Sequence, residues 1–131
     1  MDSKKRLTLA ELIERKNQSE EDKLQVKEVY VKNLGGMLVF HRGSISKVID
    51  LMDNIENAES ARENYMFQKE LIYMHCPMMH NKDLQSAYEC VEPMDIVDKL
   101  FGENLGAIAE ASETILDFYG LADEGEKVKN S

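Results

Sequence analysis

Four soft side chains lie within sixteen residues: His75, Cys76, His80 and Cys90. Imidazole nitrogens and thiolates are the usual ligands of zinc, and a cysteine near a histidine is the usual pair for thiolate chemistry. The spacing supports neither. Tetrahedral zinc sites are preorganised by C-x2-C or H-x3-H clamps, whereas His75 and Cys76 are adjacent and Cys90 stands alone. A catalytic base approaches its nucleophile from elsewhere in the fold, and no oxyanion-hole glycine motif accompanies this pair. At inner helical positions both cysteines serve equally well as small apolar groups. With 25 Asp and Glu residues, pairs such as Asp95 with Asp98 arise by chance, and a solvated helix surface is the expectation for them. His41 reads as an exposed residue at a strand end. No residue is assigned a catalytic, cofactor-binding or metal-binding role, and the chain is expected not to be an enzyme.

What remains is surface. Tyr73, Met74, Met78 and Met79 cluster around a helix break at Pro77. Pliable thioethers and an aromatic ring at a kink suit a groove for an apolar or amphipathic helix of a partner protein. The competing reading is that they fill the core where three helices converge.

The elements that must position these residues follow from composition and periodicity. The 131 residues make one domain, with 43% hydrophobic and 31% charged side chains, 7 glycines and 2 prolines. This balance favours helix over an all-β sandwich. Thr8, with Glu11 three residues on, reads as the capping box of a short helix through Leu9, Leu12 and Ile13. The text then turns polar from Glu14 to Lys27, a mobile arm or an exposed helix, so residues 1–26 read as a polar N-terminal arm with a short helix. Val29-Tyr30-Val31 and Met37-Leu38-Val39-Phe40 flank Asn33-Leu34-Gly35-Gly36, which reads as a β-hairpin over about 27–41 with positive φ at both glycines. No Lys-Ser/Thr pair follows them, so a phosphate-binding loop is not indicated.

Helices occupy the rest. Ser44 or Ser46 opens one with Ile45, Val48, Ile49, Met52 and Ile55 on a single stripe. Ser60, boxed with Glu63, opens the longest, to about His75, apolar over most of its girth and ended by Pro77. Asp83–Cys90 is a short helix, and Pro93 begins another, to Phe101. Asn104 caps the last, with Leu105, Ile108, Ala109, Ser112, Ile115, Leu116 and Tyr119 inward and Gly120-Leu121 as its glycine end. The fold class expected is α+β, mostly α: one hairpin packed on a bundle of four to five helices. Residues 27–121 form the single globular domain, and 122–131 a flexible charged tail.

The formal charge is −9, concentrated in the body: residues 1–32 carry 8 basic against 7 acidic side chains, residues 33–131 carry 8 against 18. Such a body repels phosphate, so neither nucleic acid nor an anionic membrane is an expected partner. Two cysteines make no disulfide framework, no apolar run is long enough to span a membrane, and the start lacks an apolar signal core. A cytoplasmic location follows as an expectation.

The order of these pieces resembles one family. Tyr30-Val31-Lys32-Asn33-Leu34-Gly35-Gly36, then Lys69-Glu70-Leu71-Ile72-Tyr73 running to Cys76-Pro77, are followed by Leu84-Gln85-Ser86-Ala87-Tyr88-Glu89-Cys90. Pro93 with Asp95-Ile96-Val97-Asp98-Lys99-Leu100-Phe101 and the Leu116-Asp117-Phe118-Tyr119-Gly120-Leu121 ending complete the series. From about Asp22 to Leu121 the chain resembles the XkdN-like tail assembly chaperones of phages and prophages. The resemblance implies a non-enzymatic role: binding the tape measure protein and keeping it soluble while the tail is built, in the host cytoplasm and absent from the mature virion. It also implies that a frameshifted longer form can exist, this chain being the short one. Another copy of the chain is the second protein partner considered. The alternative from a different class is an acidic regulator that occupies a basic partner's nucleic-acid site.

Overall fold

The computed structural model describes residues 6–16 and 25–121. The polar run 17–24 and the charged tail 122–131, read from sequence as mobile, lie outside the described residues. Helix α1 (Leu9–Glu14) begins with the expected capping box: the Glu11 N–H donates to Thr8 Oγ1 at 3.2 Å and the Thr8 N–H to Glu11 Oε1 at 3.1 Å. None of its residues is buried.

Strands β1 (Val26–Val31) and β2 (Gly36–His41) pair antiparallel, with Val29 opposite Leu38 and Tyr30 opposite Met37. Because side chains alternate across a strand, Val31, Leu38 and Phe40 point into the core while Tyr30, Met37 and Val39 point away from it. Only Gly35 (φ 65°) takes the left-handed conformation in the turn. Gly36 already belongs to β2, so one positive φ closes the hairpin rather than the expected two.

Helix α2 (Ile45–Asp53) follows, and its stripe is divided: Val48 is buried, whereas Ile45, Ile49 and Met52 are exposed. Its five apolar positions span more of the circumference than one neighbour, the longest helix, can cover. That helix, α3 (Ala61–His75), starts where Ser60 Oγ accepts the Glu63 N–H at 3.2 Å. The Glu63 carboxylate does not return to Ser60. It accepts the Glu56 and Asn57 N–H groups at 2.7 and 3.2 Å and closes the turn before the helix.

Cys76 is extended (φ −119°) ahead of Pro77, and a 3-10 turn covers Pro77–His80. Asn81 then caps α4 (Lys82–Ala87), accepting the Leu84 N–H at 3.0 Å. The helix stops short of Cys90: Glu89 turns left-handed (φ 55°) and the Cys90 N–H folds back onto the Gln85 carbonyl at 3.0 Å. Helix α5 (Asp95–Phe101) begins two residues after Pro93, where Asp95 accepts the Glu92 N–H at 2.9 Å. Asn104 caps α6 (Leu105–Leu116) through the Ala107 N–H at 3.0 Å, and a 3-10 turn over Asp117–Tyr119 leads to left-handed Gly120 and a Leu121 N–H bond to the Leu116 carbonyl. Leu105, expected inward, is exposed.

The fold is therefore α+β and mostly helical, one hairpin on a helical bundle. α3 lies at its centre, packed most extensively on α6 and also touching α2, α5 and β2. Leu71, Ile72, Ile96, Val97, Phe101, Ile108 and Ile115 form the core, capped by Val31 and Phe40 of the hairpin. Two polar anchors hold the hairpin in place. Asn33 Nδ2, in its turn, donates to the Leu100 carbonyl at 3.0 Å, filling an acceptor at the end of α5. Gly102 makes room for it: a Cβ there would lie 2.7 Å from Asn33 Oδ1, and its φ is +65°.

The second anchor is buried. His75 Nδ1 lies 2.7 Å from the Leu71 carbonyl, which can only accept, so Nδ1 carries the proton. Nε2 then accepts from Tyr119 Oη at 2.7 Å, and that oxygen accepts the Gly43 N–H at 2.8 Å. Burial holds the imidazole pKa below its ordinary value of 6.5, with the Leu71 bond opposing only in part. Unfolded His75 takes up a proton near that value and the folded group does not, so stability is complete above about pH 6.5 and is lost as pH falls below it. Urea midpoints are expected to be flat from pH 8 to 7 and to fall between pH 6.5 and 5. In His75→Gln that limb disappears, while the carboxylate-dependent loss at lower pH persists.

Candidate protein-binding surface

The four soft side chains do not converge on one point. His75 is buried with both ring nitrogens engaged. Cys76 is buried beside it, and burial pushes its thiol pKa up, away from the thiolate. The His80 ring lies on Tyr73 (centroids 4.1 Å apart), with Nε2 at 2.8 Å from the Tyr73 carbonyl. Cys90 is half-buried beyond α4. Among the described residues, no group of three or more His, Cys, Asp or Glu side chains is placed to hold a metal ion.

Asp95 and Asp98 correct the sequence reading of a merely solvated face. The Lys69 ammonium, almost fully buried on α3, lies 2.7 Å from Asp98 and 3.7 Å from Asp95. Asp98 also accepts from the Tyr65 hydroxyl at 2.5 Å. Burial alone would depress Lys69, but the Asp98 hydrogen bond and charge outweigh it and its pKa stands raised. Burial, reinforced by Asp98, raises Tyr65 as well. A charged lysine and a protonated tyrosine are thereby fixed as donors to one carboxylate. The arrangement clamps α5 onto α3 and leaves neither group as a base.

The surface expected around Pro77 is divided by the 3-10 turn. Met78 is 65% exposed and Met79 is wholly buried. Tyr73 and Met74 are half-buried, with the Tyr73 hydroxyl accepting from Gln85 Nε2 at 3.3 Å. Met79 is thus a core residue and offers nothing to a partner. Of the four, only Met78 is exposed.

A larger apolar surface adjoins it. On the outer hairpin face Tyr30 (61% exposed) stands opposite Met37 (51%), and Val26 and Val39 flank them. An open cleft of about 530 Å³ connects this face to the Pro77 turn, lined by Val39, His41, Pro77, Met78, His80 and Asn81. His41 lies at the strand end, exposed, as expected. Sequence reasoning placed these strands correctly but did not single out Tyr30, Met37 or Val39. The signal was present: both strands carry apolar side chains on both faces, where a hairpin resting on a core needs them on only one.

Compared with family models, characterised proteins and solved structures, the chain matches none. Among the described residues no helix is long and apolar enough to cross a membrane. The two adjacent methionines give a direct check of the surface. Met78→Ser is expected to change unfolding free energy by less than about 0.5 kcal/mol. Met79→Ala, which opens a core cavity, should cost about 2–5 kcal/mol. Urea denaturation of the two variants measures both.

Proposed function

We propose that this chain acts by binding another protein, without catalytic chemistry, and that its client is an apolar or amphipathic helix laid against the outer hairpin face and Met78. The observation that carries this reading is the exposed apolar surface of Tyr30, Met37 and Val39 on the hairpin, continued by Met78 on the Pro77 turn. Exposed apolar area of this kind is a liability unless a partner covers it. The resemblance to the XkdN-like tail assembly chaperones names the client: the tape measure protein of a phage or prophage, kept soluble in the host cytoplasm until the tail tube forms around it. On this reading the protein is absent from the finished virion.

The charge of −9 supports a second reading, an acidic regulator covering a basic partner's nucleic-acid site. Salt separates the two. An apolar contact survives high ionic strength, whereas a contact between opposite charges weakens steeply.

Co-expression with the tape measure protein of the same phage is expected to raise its soluble fraction and yield a complex that survives 0.5 M salt (roughly a 4 Å Debye length). The double variant Tyr30→Thr, Met37→Thr changes only exposed positions and keeps strand-forming side chains, so it should fold normally and lose at least about tenfold in complex recovered, about 1.4 kcal/mol. Equal insolubility of the client with and without this chain would defeat the proposal. A complex dissolved by salt would favour the regulator.

A further inference from the structure

We propose that α1 of one copy of this chain docks on the open stripe of α2 in a second copy, so that two chains exchange their N-terminal arms. The inference uses none of the residues assigned to the client surface and stands independently of that reading.

Two unpartnered apolar stripes carry it. A six-residue helix is far too short to be stable alone in water, yet α1 carries a complete N-terminal capping box and presents Leu9, Leu12 and Ile13 at i, i+3, i+4 spacing. All three are exposed, Leu9 at 76%. On α2 the side chains divide by angle at about 100° per residue. Val48 and Leu51 turn toward α3, while Ile45, Ile49 and Met52 form a separate stripe about a quarter-turn away, all exposed. At about 1.5 Å rise per residue this stripe is roughly 10 Å long, enough to seat the roughly 6 Å between Leu9 and Ile13.

Charge makes the match directional. Residues 1–16 hold five basic against three acidic side chains in a chain of net −9. Arg6, Arg15 and Lys16 bracket the α1 stripe, and Asp50 and Asp53 border the α2 stripe on the side of Ile49. Acidic bodies repel one another, so an association must run through the basic arm. The chain's own α1 stands with its stripe open while its own α2 stripe is also unfilled. A reciprocal exchange satisfies both stripes twice over, as a two-fold contact does.

The test is sedimentation equilibrium of the full chain over a concentration series. A reversible monomer–dimer equilibrium is expected. Leu12→Asp and Ile49→Asp should each weaken dimerisation at least about tenfold while leaving unchanged the urea midpoint measured at a dilution where every chain is monomeric. Mixing the two variants should restore association, since one keeps an intact stripe on α2 and the other an intact arm. A chain monomeric up to about 1 mM, including one whose α1 amides are protected by docking on its own body, overturns the proposal. So does a dimer indifferent to both substitutions, or one that mixing fails to restore.

Discussion

A buried neutral imidazole fixes where the hairpin leaves the core. The chain of bonds from Gly43 N–H to Tyr119 Oη to His75 Nε2, with His75 Nδ1–H closing on the Leu71 carbonyl, runs in one donor direction. No member can be reversed without leaving a buried group unpaired, which costs more than an ordinary hydrogen bond returns. Three segments far apart in sequence are thereby held at one point: the exit of β2, the end of α3 and the turn after α6. Phe118 and Tyr119 wall the site, with the Arg42 guanidinium 5.4 Å from the Tyr119 ring and Lys27 5.3 Å from that of Phe118. These cations border the site on its aromatic walls.

The anchor matters because a two-stranded hairpin is at best marginal in water. Its apolar packing comes from one face, through Val31, Leu38, Phe40 and half-buried Val29. With Asn33 holding the turn and His75 holding the exit, the outer face needs no contribution to folding and is free to carry side chains chosen for another purpose. Tyr30 and Met37 sit there as a cross-strand pair. A core that holds the hairpin by its inner face and both ends is what keeps an outward apolar pair in fixed geometry.

Much of this was legible in sequence because it is local. Thr8, Ser60 and Asn104 cap their helices through bonds spanning three residues, and left-handed Gly120 closes α6 through its neighbours. The hairpin was visible because β-branched and aromatic runs surround a glycine turn. What was not legible depends on contacts distant in the chain. Lys69 finds Asp98 across 29 positions, and nothing near Asp95 or Asp98 announces a buried cation. Met78 and Met79 are chemically identical neighbours, and only the direction of the 3-10 turn sends one outward and the other under Tyr73's helix. The α2 stripe was read correctly as apolar, but periodicity cannot say how much of its arc a neighbour will cover.

Magnitudes argue for weak, repeated contacts on the outer face. Each apolar side chain there contributes on the order of 1.5–3 kcal/mol if fully buried, and Tyr30, Met37, Val39 and Met78 would not all be buried by one helix. Against this stands an association cost of roughly 4–15 kcal/mol, so a single copy holds a single helix only loosely. The long helical client proposed here would change the arithmetic, since many copies along it would exclude water and self-contact without any one of them binding tightly. On the proposed reading, net negative charge would act in two ways: it would keep each coated segment soluble, and it would limit how densely bodies of like charge crowd the client. Loose individual contacts would leave such a coat removable by a competitor with a better-matched surface, a requirement for any partner that must let go of its client.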